Sequence, residues 1–434
     1  MNTRTLTLVL VVAVATVAAP AAGQMAMGPE RTISNQDFNE YLPHVAYNSN
    51  HDEFLVVWHD NSPLQSRSVM GKRVDASGAA IAEFIIAFED TPPRDNAQPT
   101  VAYDPVNDRY MVSWVKDYHG DGSDWDVYGR LIPWNGPSPS LTEFSICDFT
   151  SNQWSPRAAY AGTPGEFLVT WWNEGSGGVN SYISAQRISA AGATLGGIVT
   201  VTSGTEERVV PDVAYNQARN EYLIVFQLMD AGGGSIHGVR LTGGGSIIGG
   251  GDFAIAAWPD PETAPRVAAS RVEDEWGVIW QSDVPGRMKD VYARRVWVDI
   301  SGTVQFTPPV HAAGSTVDER RPDIAIHPES STYLLAWEKQ YSSPTGPLGI
   351  DARTLNSVNG LGNRFDVRPV YIGTTIDSSR PSMAASDSNW FVAWEQERNA
   401  TPPYLDILGR TVYGVLFADD FESGGLSAWS SHNP

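Results

Sequence analysis

The chain has 434 residues, and its 50 acidic against 29 basic side chains give a formal charge of −21, which repels phosphate backbones and argues against nucleic acid as a partner. Forty glycines, 29 prolines and 15 tryptophans describe a turn-rich, aromatic chain that favours strands over helices. Cys147 is the only cysteine, so no intramolecular disulfide forms and the core alone must hold the fold.

At the N-terminus Arg4 precedes an apolar run from Leu6 to Ala19 and a patch of small residues. This is the layout of a secretory signal peptide, with cleavage expected near Ala21 to Gln24. Residues 1–23 are read as the signal, and the mature chain as secreted, periplasmic or held at the cell surface. The run is shorter than the roughly 20 residues a bilayer span requires, and no membrane span is expected.

From Pro43 onward one pattern recurs: "PHVAY…EFLVVW" at Pro43, then "PTVAY…RYMVSW" at Pro99, "PRAAY…EFLVTW" at Pro156 and "PDVAY…EYLIVF" at Pro211. It continues as "PRVAA…EWGVIW" at Pro265, "PDIAI…TYLLAW" at Pro322 and "PSMAA…NWFVAW" at Pro381, with spacings of 54 to 59 residues. Each copy goes on to a strand carrying a base, such as "MGKRV" or "VYGRLI", and most add a fourth short strand, such as "EFIIA" or "DFAIA". Four short strands per copy with no helical periodicity predict an all-β fold, a seven-bladed β-propeller of four-stranded antiparallel blades.

The two ends predict how the ring closes. "ERTIS" (Glu30 to Ser34) is a fourth strand with no repeat of its own, and the seventh copy lacks one after "LGRTVY". The N-terminal strand is therefore expected to complete the last blade and remove two exposed edges. The propeller is assigned to residues 24–416 and a C-terminal tail to 417–434, the whole expected to be a monomer.

Within each copy the small and β-branched "VA" pair suits the crowded innermost strand. The second strand ends in Trp58, Trp114, Trp171, Phe226, Trp280, Trp337 or Trp394. One large ring per copy fills the space between neighbouring sheets, so these seven are read as structural. The bases Arg73, Arg130, Arg187, Arg240, Arg294, Arg353 and Arg410 are read as structural too. They shift by one place between copies and so need not point the same way.

On these residues the pattern "P-x-VAY…EFLVVW…YGRL…G…EF-x-I" resembles the tandem repeats of secreted bacterial propeller proteins and large RTX-type adhesins, over roughly Glu30 to Phe417. The likeness implies a blade architecture and an extracellular binding or adhesion role. The nonapeptide calcium repeats of many such adhesins are absent, so calcium-driven folding does not follow.

Function should sit where the copies differ. The loop "VKDYHGDGSDWDVYGR" gathers Asp117, Asp121, Asp124 and Asp126 around two glycines, an oxygen-rich turn that suits calcium but lacks the EF-hand order. Apart from calcium no cofactor is expected. Tyr118, His119 and Trp125 of that loop, with Trp154 and Trp172 of others, set aromatic rings beside carboxylates, as sugar recognition requires. The residue after each proline is His44, Thr100, Arg157, Asp212, Arg266, Asp323 or Ser382. Of these, Arg157, Asp212, Arg266 and Asp323 would supply convergent polar groups at a central channel, or merely begin strands in solvent.

No nucleophile elbow, zinc motif or phosphate-binding glycine loop occurs, and the sialidase box "S-x-D-x-G-x-x-W" is absent. The sequence therefore leads us to expect a non-catalytic binding or adhesion propeller that presents variable loops to a glycan or protein partner. Two alternatives stand beside it. One is a sialidase-like glycoside hydrolase or polysaccharide lyase at the axial funnel, which needs convergent carboxylates. The other is a purely structural module of a cell-surface assembly.

Overall fold

The computed structural model describes residues 25–61, 66–89, 94–175, 180–230, 233–283, 288–341, 346–370, 376–398 and 404–414. The expected signal segment and the C-terminal tail lie outside these residues. The described residues form strands, turns and bends with no helix, and so none long and apolar enough to cross a membrane.

The first repeat builds an antiparallel sheet from Asn39–Asn48, Glu53–Asn61, Val69–Asp75 and Ala80–Ala87, paired in chain order. Six more sheets follow the same plan. The first strand of each blade contacts the first strand of the next, and Ser378–Ala385 of blade seven contacts Asn39–Asn48 of blade one. These strands are therefore innermost and the ring is closed. Arg31–Ser34 pairs with Leu405–Tyr413, the third strand of blade seven, and buries Ile33, while Ala26–Met27 pairs further along the same strand. The N-terminal segment thus completes the last blade, as its sequence predicts.

Alternation along the second strand explains the apolar run at its centre, Phe54 to Trp58 in blade one. In blade one Phe54, Val56 and Trp58 face blade seven, whereas Leu55 and Val57 face blade two. A strand buried on both faces reads as a continuous apolar run rather than an alternating one. The seven second-strand aromatics, Trp58, Trp114, Trp171, Phe226, Trp280, Trp337 and Trp394, are fully buried, and each strand runs two or three residues past its ring rather than ending there. Each packs against the blade before it: Trp114 against Leu55 and Val57, Trp171 against Met111, Trp394 against Leu334 and Ile350. They are inter-blade core.

The one-place shift of the bases separates two structural roles, because moving one residue along a strand exchanges its faces. Arg130, Arg294, Arg353 and Arg410 sit opposite Val112, Val278, Leu335 and Val392. They reach back to carbonyls of the preceding blade: Ile86, Ile255, Ala312 and Val367. Arg73, Arg187 and Arg240 lie on the other face and pair with Glu53, Glu166 and Glu221, which open the second strands. In blade five both roles are filled, since Arg295 beside Arg294 pairs with Glu275.

Each first strand carries one irregularity that the sequence pattern did not announce. Its register with the second strand shifts around the proline in all seven blades. The preceding residue, Leu42, Gln98, Ser155, Val210, Ala264, Arg321 or Arg380, has a left-handed backbone with φ between 47° and 54°. Proline has no N–H for a ladder and is tolerated where a bulge breaks it. The left-handed conformation costs about 1–3 kcal/mol per residue and persists only where its surroundings enforce it.

Candidate functional site

The seven bulges surround a cavity on the propeller axis of about 400 Å³, at the lower end of the range for small-molecule sites. Its wall carries the residue that follows the proline in six of the seven blades: His44, Arg157, Asp212, Arg266, Asp323 and Ser382. The position matters because an innermost strand leaves N–H groups unpaired toward the axis, and each needs an acceptor. The preceding blade supplies it. Val101 donates to His44 Nδ1 and Ala158 to Thr100 Oγ1, both at 3.4 Å. Val267 donates to Asp212 Oδ2 and Met383 to Asp323 Oδ2, both at 2.8 Å.

In blades three to six this ring alternates in charge: Arg157, Asp212, Arg266, Asp323. Arg157 Nε lies 3.6 Å from Asp212 Oδ1, and Arg157 and Arg266 each donate to the carbonyl of their own proline, at 3.1 and 2.8 Å. Burial pushes the Asp323 carboxyl up to about 7, with Arg266 drawing it down and Asp212 adding to the rise. Asp212 is raised by burial too, against the pull of Arg266 and Arg157. Burial, then Arg266, brings Arg157 down to about 10. His44 is held neutral, well below its usual range, by burial and by both arginines. The cavity thus holds two carboxyl groups whose pKa burial raises and two guanidinium groups.

Of the nine candidate ligand residues, these four converge and the aromatic ones do not. Trp125 and Trp154 pack on one another with centroids 5.3 Å apart, above Ala97 and Val115. Trp172 lies half-buried against the interface of blades three and four. Tyr118 is exposed, with His119 edge-on at 5.4 Å and the Arg94 guanidinium 4.9 Å over its ring.

The acidic loop is largely spent on its own turn. Asp117 accepts from Gly120 and Gly122 at 2.7 and 2.8 Å, and Asp121 accepts from the backbone and hydroxyl of Ser123. Asp124 faces His119 at 3.1 Å, and Asp126 is buried, its pKa raised to about 7 by burial and by Asp124 and Asp148. Among the described residues no three His, Cys, Asp or Glu side chains come together in a way that could hold a metal ion.

Two charged pairs were missed. Arg321 and Arg380, the strained residues before Pro322 and Pro381, line the cavity as well. Arg321 Nη1 bonds Glu338 Oε1 at 3.0 Å, and Arg380 Nη1 bonds both oxygens of Glu395 at 2.9 and 2.8 Å. A signal was present in the repeat. Only copies six and seven have a base before the proline, and only they have a glutamate after the tryptophan.

No protein-family model matches the chain, and no curated protein sequence matches it. Among solved structures it is similar to a Hadza microbial sialidase, at 10% identity over 69% of this chain and 63% of that one, with a TM-score of 0.48. It is similar to a Trypanosoma rangeli sialidase in complex with the inhibitor DANA, at 10% identity over 89% and 56%, with a TM-score of 0.45. A thermostable family-43 glycoside hydrolase matches at 12% identity over 64% and 96%, with a TM-score of 0.39. The chain thus spans less than two thirds of the length of either sialidase. At such identities no reacting group of those enzymes can be carried over residue by residue.

The expectation of a non-catalytic adhesion propeller is corrected here. Of the solved structures named above, two are described as sialidases and one as a glycoside hydrolase, and the likeness to them is one of fold alone. The axial cavity itself is lined by two buried aspartates, Asp212 and Asp323, together with Arg157 and Arg266.

Proposed function

We propose that the protein is a glycoside hydrolase whose reaction takes place in the axial cavity. One observation carries the reading. At the position after the proline Thr100 accepts its neighbour's N–H without a charge, so the latch between blades does not require the buried aspartates at 212 and 323. Nor do arginines at 157 and 266 serve it, because a guanidinium cannot accept. The charged set exceeds what the scaffold needs.

In this reading Asp323, whose pKa burial lifts to about 7, gives its proton to the departing glycosidic oxygen. Asp212, beside two guanidinium groups, takes the proton of the attacking water as the bond to the anomeric carbon forms. Arg157 and Arg266 orient the sugar and offset charge on both carboxylates. The proposal includes export, for which the apolar segment Leu6 to Ala19 speaks. The likeness to adhesin repeats is then an account of the scaffold alone.

The test is release of reducing ends from arabinan, xylan, polygalacturonate and polysialic acid by the mature chain. Asp323→Asn keeps an oxygen to accept from Met383 and should lower turnover by about 100-fold or more. No release from any of the four, or an unchanged rate in the variant, contradicts the proposal.

A further inference from the structure

The sevenfold pattern breaks on one side of the axis, and a second cavity opens there. It measures about 440 Å³ and is lined by blades one, six and seven. Arg321 and Arg380 line both cavities, so the two share a wall.

That wall is a relay across three blades. Arg321 is bound to Glu338, which also accepts the backbone N–H of Arg380 at 2.7 Å. Arg380 is bound to Glu395, which accepts the N–H of Leu42 at 2.7 Å. The bulges therefore do more than admit prolines here: with the carboxylates they fix two guanidinium groups between the cavities. Leu42, Gln98, Ser155, Val210 and Ala264 hold the equivalent position elsewhere, and none can form such a wall.

Beyond it the groove has the chemistry of a sugar site. Tyr41 is held by stacking on His59, with centroids 5.4 Å apart, and Tyr404 stands across the groove under the Arg398 guanidinium at 5.8 Å. Asp377 and Glu397 line the same space. Asp377 uses one oxygen on the N–H of Leu348 at 2.9 Å, and Glu397 has no side-chain hydrogen bond among the described residues. Rings with an apolar face beside carboxylate acceptors suit a neutral pyranose or furanose, which offers a C–H face and hydroxyl donors. The charges of Arg321 and Arg380 are met by Glu338 and Glu395, so Asp377 and Glu397 would meet an anionic sugar unfavourably.

We infer that this groove is a second sugar subsite, continuous with the axial cavity, that binds the neutral continuation of an oligosaccharide whose cleaved residue lies on the axis. The inference rests on the hydrolase reading and adds to it that the substrate is a chain rather than a single glycoside. The experiment measures kcat/KM for p-nitrophenyl monosaccharides and for oligomers of two to six sugars from arabinan and xylan, with oligosialic acids as the anionic comparison. The wild type should gain about tenfold between monosaccharide and trimer on a neutral ladder. Tyr404→Ala should remove most of that gain, and Glu397→Gln, at a more polar and tolerant position, should reduce it. A wild type that cleaves all lengths with equal kcat/KM, or a length gain that both variants keep, overturns the subsite and leaves the axial reading standing. A wild type that cleaves no member of any ladder overturns both.

Discussion

Two positions of the same repeat behave in opposite ways. The large residue near the end of the second strand is an aromatic ring in all seven blades, fully buried against the preceding blade. The residue after the proline is His, Thr, Arg, Asp, Arg, Asp and Ser in turn, although its backbone surroundings are nearly the same each time. A position constrained by volume alone converges on one side-chain type. A position whose local duty any acceptor can meet is free to vary, so charge there has to be explained by something other than the fold.

That contrast can be broken most forcefully on the scaffold side. Trp114→Ala removes a buried ring that also donates to Asn96 at 2.8 Å, and should cost about 3–5 kcal/mol in denaturant unfolding. Loss of the N-terminal closure comes next. Without the segment up to Ser34, Leu405–Tyr413 becomes an open edge and the contacts of Ile33 with Val45 and Ile407 are gone. Thermal melting should fall by several degrees at least, and melting unchanged from the parent would refute closure by this strand. On the axial side, Asp323→Asn should lower melting at pH 7 by no more than about 2 °C, and raise it if the burial penalty on the carboxyl is lifted, while turnover collapses. A large loss of stability with little loss of turnover would make the axial residues scaffold after all.

A smaller effect sharpens the comparison through pH. Glu40 is buried, accepts from Ser34 and from Trp58 Nε1 at 3.1 Å, and is pushed up to about 8 by burial. A carboxyl whose folded pKa is raised favours the folded state below its unfolded pKa near 4.5, and that advantage is lost as pH rises through about 8. Glu262 and Asp351, both raised to about 7 chiefly by burial, act in the same direction. His59, lowered to about 3 by burial, acts oppositely below the usual histidine range near 6.5. Stability should therefore rise as pH falls from about 8.5 toward about 4.5, with His59 opposing the rise below about 6.5. Glu40→Gln should gain a few degrees at about pH 8.5 and nothing at about pH 5. Equal gains at both would show that Glu40 is ionised in the folded protein.

Much of the scaffold was legible because repetition multiplies a weak signal: seven prolines, seven "VA" pairs and seven rings define blade, core and closure together. The bulge was not read, although a proline inside each inner strand is a reason to expect one. Asp212, Asp323, Arg157 and Arg266 could be singled out because they sit at the variable position of an otherwise regular strand. The aromatic candidates lie away from the axial cavity for a physical reason. A tryptophan in a loop and a tryptophan capping an interface look alike in sequence, and Trp125 with Trp154 proves to be the second kind. Arg321 and Arg380 escaped notice because their partners, Glu338 and Glu395, lie on the neighbouring strand, and only a comparison between copies links the two positions.

The central claim is that the axial aspartates do chemistry, and the pH dependence of kcat/KM for glycan cleavage tests it most directly. If Asp323 is the proton donor, activity should be lost above an apparent pKa near 7, the value to which burial lifts it, and that limb should vanish with the activity in Asp323→Asn. A wild type and an Asp323→Asn variant with the same rates and the same alkaline limb would contradict the account.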